Sequence, residues 1–238
     1  MNPGWPFPCA RSLPKRRRLR AEIARYLRQA RGVACTPDEI VIAAGTQLLI
    51  QQLCCLFGLD GRAVAIEEPG YNGVRIVFQH LGFAVTPIPL EEDGINVEAL
   101  EASGARLVYI TPSHQEPSGM VMPYAKRIRL LQWAARTGVY IVEDDYDGEF
   151  RYRGKPIPSD AGLSVTVEVY SDKTAEELTA AAASAGIRVY PTAPKWFRPP
   201  QNRLPAFQFG FGGLSVEEMD AGLRLLYEVW KPYLHSCN

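Results

Sequence analysis

The sequence predicts an α/β protein: a mostly parallel sheet crossed by helices, followed by a smaller α+β unit. Two observations carry this. Between Ile40 and Glu143, short apolar runs alternate with stretches of helical period, and strands separated by helices pair in parallel through right-handed crossovers. After Pro158 the order changes to a strand, an Ala-rich helix, two strands and a final helix. The 238 residues, 47% of them hydrophobic, suffice to bury the core of one large domain or of a domain and a half.

Each element has its own signal. Leu19, Ile23, Tyr26 and Leu27 share one stripe of a helix over Leu19 to Ala30. Thr36-Pro37-Asp38-Glu39 predicts a helix start, with Thr as N-cap, Pro in the first turn and Glu placed to close a capping box. Ile40 to Ala43 reads as a short apolar strand, and a helix from Thr46 to Phe57 follows Gly45. Further strands are expected at Ala63–Glu67, Phe83–Pro87, Leu107–Thr111 and Val139–Glu143. Helices near Gly73–Leu81, Val97–Ala102 and Tyr124–Thr137 lie between them. In the second unit, strands are expected at Val165–Tyr170, Ile187–Tyr190 and Phe207–Phe211, and helices at Thr174–Ala185 and Val216–Trp230. Ser159 to Ser164 forms the joint.

Composition narrows the function classes. Lys plus Arg (26) balance Asp plus Glu (26), so overall charge gives no argument for a nucleic-acid or membrane partner. The run Lys15, Arg16, Arg17, Arg18 and Arg20 reads as a solvated helix start rather than a phosphate-binding arm. Five cysteines, including the adjacent Cys54 and Cys55, form neither a CxxC nor an even framework, which points to a reducing cytoplasm. The N-terminal stretch lacks the apolar core of a signal peptide, and no apolar run approaches membrane-spanning length.

Four segments carry chemistry. The first, VYIVEDDYDGEF at Val139 to Phe150, runs an apolar strand into a cluster of carboxylates around one tyrosine. Alternation puts Tyr140, Val142, Asp144 and Tyr146 on one face, so an acid and a phenol emerge together at the carboxyl end of a buried strand, where open α/β sheets bind ligands. A carboxylate there can keep a ring nitrogen protonated and a phenol can donate to a ring oxygen, the pairing a pyridoxal phosphate site needs. The same acids could form a solvated turn. A calcium loop is disfavoured, because Gly154 stands where the closing Glu belongs, and no metal site is expected. The second segment, Ala44-Gly45-Thr46-Gln47, is a small turn at a helix N-terminus that either presents donors to a phosphate or simply packs closely. In the third, Glu68-Pro69-Gly70-Tyr71, the tyrosine can stack on a planar ring or fill an interface. The fourth, Thr111 to Gly119, is a polar loop leaving a strand, and its His114 reads alone as a satisfied loop histidine.

In this order the four segments resemble the fold-type I aminotransferases of class I/II, in particular the aminotransferase-like domain of MocR-type (GntR family) regulators, where such a domain follows a winged-helix DNA-binding domain. The phrases LRAEIARYLRQARGV, TPDEIVIAAGTQ, EPGY, TPSHQxPSG and VEDDYDGEFRYRG carry the likeness, which extends from about Leu19 to Trp230. The resemblance implies a three-layer PLP-transferase-like large domain over residues 19–158, incomplete in its sheet, and a small α+β C-terminal domain over 159–238. Residues 1–18 are a divergent tail. It implies pyridoxal 5′-phosphate as cofactor, with Gly45, Thr46 and Gln47 on its phosphate, Tyr71 stacked on its ring, Asp144 on the pyridinium nitrogen and Tyr146 on the phenolic oxygen. It also implies an amino acid or amine as ligand and a homodimer as the family's assembly.

The departures from the family are as specific as the matches. The family carries its Schiff-base lysine in a Ser-rich segment soon after the EDDYD strand, whereas this chain passes through Lys155 and Ala161-Gly162-Leu163 almost directly into the small-domain strand. No catalytic lysine is assigned: Lys155 sits in a basic turn the family also has, and Lys173 opens the Ala-rich helix. Glu116 stands where relatives place an aromatic residue. A Pro/Arg-rich stretch stands before Leu19 with no winged-helix domain, so direct DNA binding by this chain is not expected. The chain therefore reads as a pyridoxal phosphate-binding, aminotransferase-like protein impaired in catalysis. An effector-sensing module without enzymatic activity and a decayed gene product are the alternatives. Arg188 and Arg203 are the arginines considered for a substrate carboxylate.

Overall fold

The computed structural model describes residues 13–56, 63–147, 164–200 and 203–235, with side chains from residue 17 onward. Contacts divide the chain into two compact units, Met1–Leu56 and Phe57–Asn238. The domain boundary expected between 158 and 159 falls outside the described residues, as do Phe57, Gly154 and Lys155.

The first unit holds helix α1 (Leu13–Arg31) and helix α2 (Thr46–Leu56). Between them the Thr36 start yields only one 3-10 turn, Pro37–Glu39. The capping contact forms, since the Thr36 backbone N–H donates to the Glu39 carboxylate at 2.7 Å, but Ile40 turns extended and ends the turn. Ile40 to Ala43 is not a strand, contrary to its apolar pattern. A strand needs a ladder partner, and here Val41 is 67% and Ile42 45% exposed.

In the second unit, five strands form one sheet in the order β3-β2-β1-β4-β5: β1 (Ala63–Glu68), β2 (Ala84–Glu91), β3 (Gly94–Ile95), β4 (Leu107–Ile110) and β5 (Tyr140–Glu143). β1 pairs in parallel with β2 and β4, and β4 in parallel with β5; only the two-residue β3, which has too little pattern to read from sequence, is antiparallel. Helices α3 (Asn72–His80), α4 (Val97–Ala102) and α5 (Tyr124–Thr137) connect the parallel strands. β4 is buried along its length, and Ala65, Ile88, Val97, Leu100, Val108, Leu130 and Trp133 close one core cluster around it. Fully burying such aliphatic side chains contributes about 1.5–3 kcal/mol each. Two helix ends are capped locally. Asn96 accepts from the Ala99 N–H at 2.7 Å to start α4, and Gly138 stops α5 in the left-handed conformation (φ 70°) that favours glycine.

One expectation changes here. β5 is half-exposed rather than buried, because no further strand pairs with it among the described residues, and Tyr140 is 60% exposed at that edge.

The second sheet is antiparallel, ordered β6-β8-β7, from β6 (Ser164–Glu168), β7 (Tyr190–Pro191) and β8 (Ala206–Gly210). β7 is shorter and later than the run Ile187–Tyr190 suggests. Helices α6 (Ala175–Ser184) and α7 (Val216–Trp230) pack against this sheet. Leu178, Ala182 and Phe207 are fully buried with Trp230, whose indole N–H donates to the Leu178 carbonyl at 3.0 Å. Both helices begin with a closed capping box, Thr174 with Glu177 and Ser215 with Glu218.

Apolar side chains remain outside these cores. Leu48, Leu49 and Leu56 of α2 are exposed, as are Val165, Val167, Leu223 and Leu225 of the second unit. Exposed apolar patches and an open sheet edge favour association. We expect the purified chain to bind an apolar dye and to self-associate at micromolar concentration. Leu56→Glu, at a position 81% exposed, should reduce both while changing unfolding free energy by no more than about 0.5 kcal/mol. Light scattering with dye fluorescence checks this, and a monodisperse parent monomer with one sharp thermal transition contradicts it.

Candidate functional site

Parallel pairing brings the carboxyl ends of β1, β4 and β5 to one edge, and the polar residues after each strand meet there. From β1 comes Glu67, buried to 2%; its Oε2 accepts from the Thr111 N–H (3.1 Å), the Thr111 hydroxyl (2.7 Å) and the Gln115 amide (3.3 Å). Its Oε1 is buried without a hydrogen-bond partner among the described residues. Burial pushes this carboxyl up to about 7 against the hydrogen bonds from Thr111 and Gln115. Gly70 follows in the turn, and only glycine fits there because a Cβ would run into the Glu67 carbonyl oxygen.

From β4 come Tyr109 and the loop Thr111 to Gly119. The Tyr109 hydroxyl donates to Asp144 Oδ2, just past the end of β5, across a register that sets Tyr109 beside Val142. The Asp144 carboxyl is raised by burial, and the charges of Asp145 and Asp147 add to this against the Tyr109 hydrogen bond. Gln115 braces the loop by donating to the Pro69 carbonyl at 2.9 Å and accepting from the Ser118 hydroxyl at 2.6 Å. Gly119 has φ 75°, and a Cβ there would stand 3.2 Å from His114 Nε2, so both conformation and space call for glycine.

Tyr146 lies beside this loop. Its hydroxyl is 3.0 Å from His114 Nδ1 and donates to Glu116 Oε2 at 3.3 Å, while His114 Nδ1 also meets the buried Asp147 at 2.8 Å. Burial first, then the negative charge of Asp147, raises the Tyr146 phenol, so it stays protonated as a donor across neutral pH. Glu116 is only 7% exposed, and it is the centre of this cluster. It accepts from Tyr146, from Gln208 Nε2 of β8 at 2.9 Å, and from the ammonium of Lys195. Burial pushes the Lys195 ammonium down to about 8.

Of the six residues expected to hold a cofactor, Asp144 and Tyr146 stand in this cluster, and Tyr71 follows the Gly70 turn as the N-cap of α3. Gly45, Thr46 and Gln47 belong to the first unit and are described there. Gly45 has φ 91°, and its carbonyl accepts from the Leu49 N–H at 3.3 Å, so Thr46 and Gln47 supply N–H groups of the first turn of α2. Lys173 stands apart from the cluster, at the exposed start of α6 in an ion pair with Glu177 at 2.8 Å. Arg203 is engaged with Glu168 at 3.0 Å and lies over the Trp196 ring, and Arg188 is exposed.

Sequence reasoning missed Tyr109, Lys195 and Gln208. Tyr109 left a faint signal, a phenol in an otherwise apolar strand on the same face as Thr111. Lys195 and Gln208 left none, since their partners lie 79 and 92 residues away. No group of three or more His, Cys, Asp or Glu could hold a metal among the described residues, and no described helix is long and apolar enough to cross a membrane.

Sequence and fold likeness place the chain in a family. The family profile "Aminotransferase class I and II" covers residues 12–195, and the chain belongs to that family. Within it, the chain is 45% identical over 145 residues to the uncharacterized HTH-type transcriptional regulator YdeL of Bacillus subtilis, covering 61% of this chain and 31% of that protein. It is 42% identical over 146 residues to the probable rhizopine catabolism regulatory protein MocR of Rhizobium meliloti, covering 61% and 30%. The chain thus matches about a third of the length of these relatives. Its fold resembles that of LysN, the α-aminoadipate aminotransferase of Thermus thermophilus solved with N-(5′-phosphopyridoxyl)-L-leucine, with TM-score 0.72, 18% identity and coverage of 92% of this chain and 89% of that one. The fold is that of the fold-type I aminotransferases, and pyridoxal 5′-phosphate is the cofactor of this family.

The donor set in the second unit fits that group: a partly exposed phenol held protonated for the ring oxygen, and a carboxyl braced by Tyr109 for the ring nitrogen. The misfit is Glu116, whose charge would oppose an anionic ring oxygen at Tyr146 were Lys195 not there to neutralise it.

The buried Glu67 yields a pH test. Its folded pKa lies above the unfolded value of 4.5, so the folded state binds the extra proton and stability falls as pH rises from about 4.5 to about 7. Glu67→Gln should flatten this part of the profile, by on the order of 2–3 kcal/mol between pH 4 and pH 8. Urea melts of parent and variant at both pH values measure the difference, and parallel profiles would disprove it.

Proposed function

We propose that the chain is an aminotransferase-like module that binds pyridoxal 5′-phosphate and an amino acid or amine but is impaired in transamination. The observation that carries this reading is the placement of Asp144 and Tyr146 at the shared edge of three parallel strands, with Tyr109 fixing the acid and the His114-Asp147 pair beside the phenol. In it, Asp144 holds the proton on the ring nitrogen, Tyr146 donates to the ring oxygen and Tyr71 covers the ring. Gly45, Thr46 and Gln47 take the phosphate at the start of α2. When bound, the cofactor supplies an electron sink that weakens the α-carbon bonds of an amino group's substrate.

The impairment follows from the missing family lysine segment. The family's lysine both carries the cofactor and moves the α-proton, and in this chain neither Lys155 nor Lys173 stands where that lysine does. Lys173 is committed to Glu177 on an exposed helix start, and Lys155 lies outside the described residues. A second reading, an effector-sensing module, is favoured by the likeness to YdeL and MocR, both described as regulators. Here the module would report the amino acid or amine by a change of shape or assembly, as a homodimer, rather than turn it over.

Two measurements test the reading. Asp144→Asn should weaken cofactor binding by about 1–3 kcal/mol, the range for losing a charge-assisted partner, while Asp147→Asn weakens it less. The reverse order in a spectrophotometric titration would reassign the two acids. Single-turnover conversion of an amino acid should be slower than in relatives carrying the family's lysine by roughly 10²–10⁴-fold, the contribution of general base catalysis. A half-reaction at the relatives' rate would refute the impairment.

A further inference from the structure

The family's lysine has no counterpart at its own place in this chain, yet the structure brings another lysine to the phenol expected at the ring oxygen. Lys195 ends a 3-10 turn, Ala193–Lys195, and its backbone is tied on both sides: its N–H donates to the Thr192 carbonyl at 2.9 Å and its carbonyl accepts from the Gly70 N–H at 3.1 Å. Gly70 directly precedes Tyr71, the residue expected to cover the ring. The segment is held again just beyond, where the Phe197 N–H donates to Glu68 Oε1 at 2.6 Å, and where Arg75 of α3 donates to the Pro194 carbonyl at 2.7 Å. The lysine thus starts from a backbone fixed to the turn after β1.

Its side chain runs to the other half of the site. The ammonium sits on Glu116 Oε1, and the second oxygen of that carboxylate accepts from the Tyr146 hydroxyl. The lysine side chain is only 13% exposed. In pyridoxal phosphate the aldehyde is carried on the ring carbon next to the one bearing the phenolic oxygen, so an amine one carboxylate away from Tyr146 would lie near the aldehyde of a cofactor whose phenolic oxygen Tyr146 held.

We propose that Lys195 is the residue that captures the aldehyde of pyridoxal 5′-phosphate as a Schiff base, in place of the family's missing lysine. The inference rests on the cofactor-binding reading above. The step balances without a co-reactant: the neutral amine adds to the aldehyde carbon, nitrogen gives up a proton to the oxygen, and water leaves as the carbon–nitrogen double bond forms. Glu116 takes the proton that the ammonium must lose first, and burial, which lowers Lys195 to about 8, keeps a usable fraction of free amine near neutral pH. With Lys195 drawn onto the aldehyde, Glu116 retains Gln208 and Tyr146 as donors.

The test uses the full chain. Protein incubated with pyridoxal 5′-phosphate is reduced with borohydride, digested and mapped, while binding of 4-deoxypyridoxine 5′-phosphate, which lacks the aldehyde, is titrated separately. The expected result is a stoichiometric pyridoxyl label on the peptide containing Lys195, whose yield rises with pH through about 8. In Lys195→Arg that label should fall to background, with the visible imine absorbance lost. Arginine keeps the charge against Glu116, so the variant should keep its melting temperature and bind the deoxy analogue within about threefold of the parent. Binding of both ligands with no label at Lys195, or with label spread evenly over exposed lysines, overturns the inference and leaves the cofactor reading intact. Failure of the parent to bind either ligand overturns both.

Discussion

Parallel pairing of β1 with β4, and of β4 with β5, decides where Glu67, Tyr109, Thr111, Asp144 and the residues that follow them stand in the second unit's site. A parallel ladder aligns strand ends of the same polarity, so the residues following Glu68, Ile110 and Glu143 emerge on one edge. The register then sets the finer geometry. Tyr109 lies beside Val142, two residues short of Asp144, and a phenol is long enough to cover that offset and donate to the acid. A slip of one residue would turn Tyr109 to the opposite face and bring Val108, now in the core, to the site. The buried aliphatic residues of β1 and β4 oppose any such slip, so core packing and site geometry are a single constraint.

Electrostatics at this edge is a problem of too many acids. Glu67, Glu116, Asp144, Asp145 and Asp147 all belong to the segments that converge there, and each remaining charge raises the cost of the next. The fold answers by different means at each acid. Glu67 is pushed toward neutrality by burial, Asp144 is braced by Tyr109, Asp147 faces His114, and Glu116 recruits a lysine from far along the chain. Truncating one member of a buried, hydrogen-bonded charge pair costs several kcal/mol, so Glu116 and Lys195 are best understood together. An aromatic residue at 116 would need no such partner.

What the sequence reveals follows the range of the interaction. Helices α4, α5 and α7 have the bounds their periodicity predicts, because a helix's stripe and caps are local. Strands β1 and β4 were legible as apolar runs bounded by turns, whereas Ile40 to Ala43 carries the same pattern and forms no strand, since strand formation depends on a partner elsewhere. The site divides in the same way. Asp144 and Tyr146 share a face by two-residue alternation, and the Pro-Gly turn at Gly70 is visible in the sequence, whereas the close contacts that require glycine at 70 and 119 are not. The convergence on Glu116 could not be read, because Lys195 reaches it from a 3-10 turn and Gln208 from β8, far along the chain, and the single odd residue in TPSHQEPSG gave a departure without showing what answers it.

The exposed edge at β5 and the Glu116–Lys195 pair belong to one site, reached along different segments of the chain. β5 has no outer neighbour among the described residues. The stretch from Ala193 to Arg198 brings an amine to this site, held by Glu68, Gly70 and Arg75. The ties to Glu68, Gly70 and Arg75 fix the approach of Lys195 independently of β5. An open sheet edge in this chain is therefore compatible with an ordered site, because β5 is fixed by β4 on its inner side and the Lys195 segment is fixed by the turn after β1 and by α3.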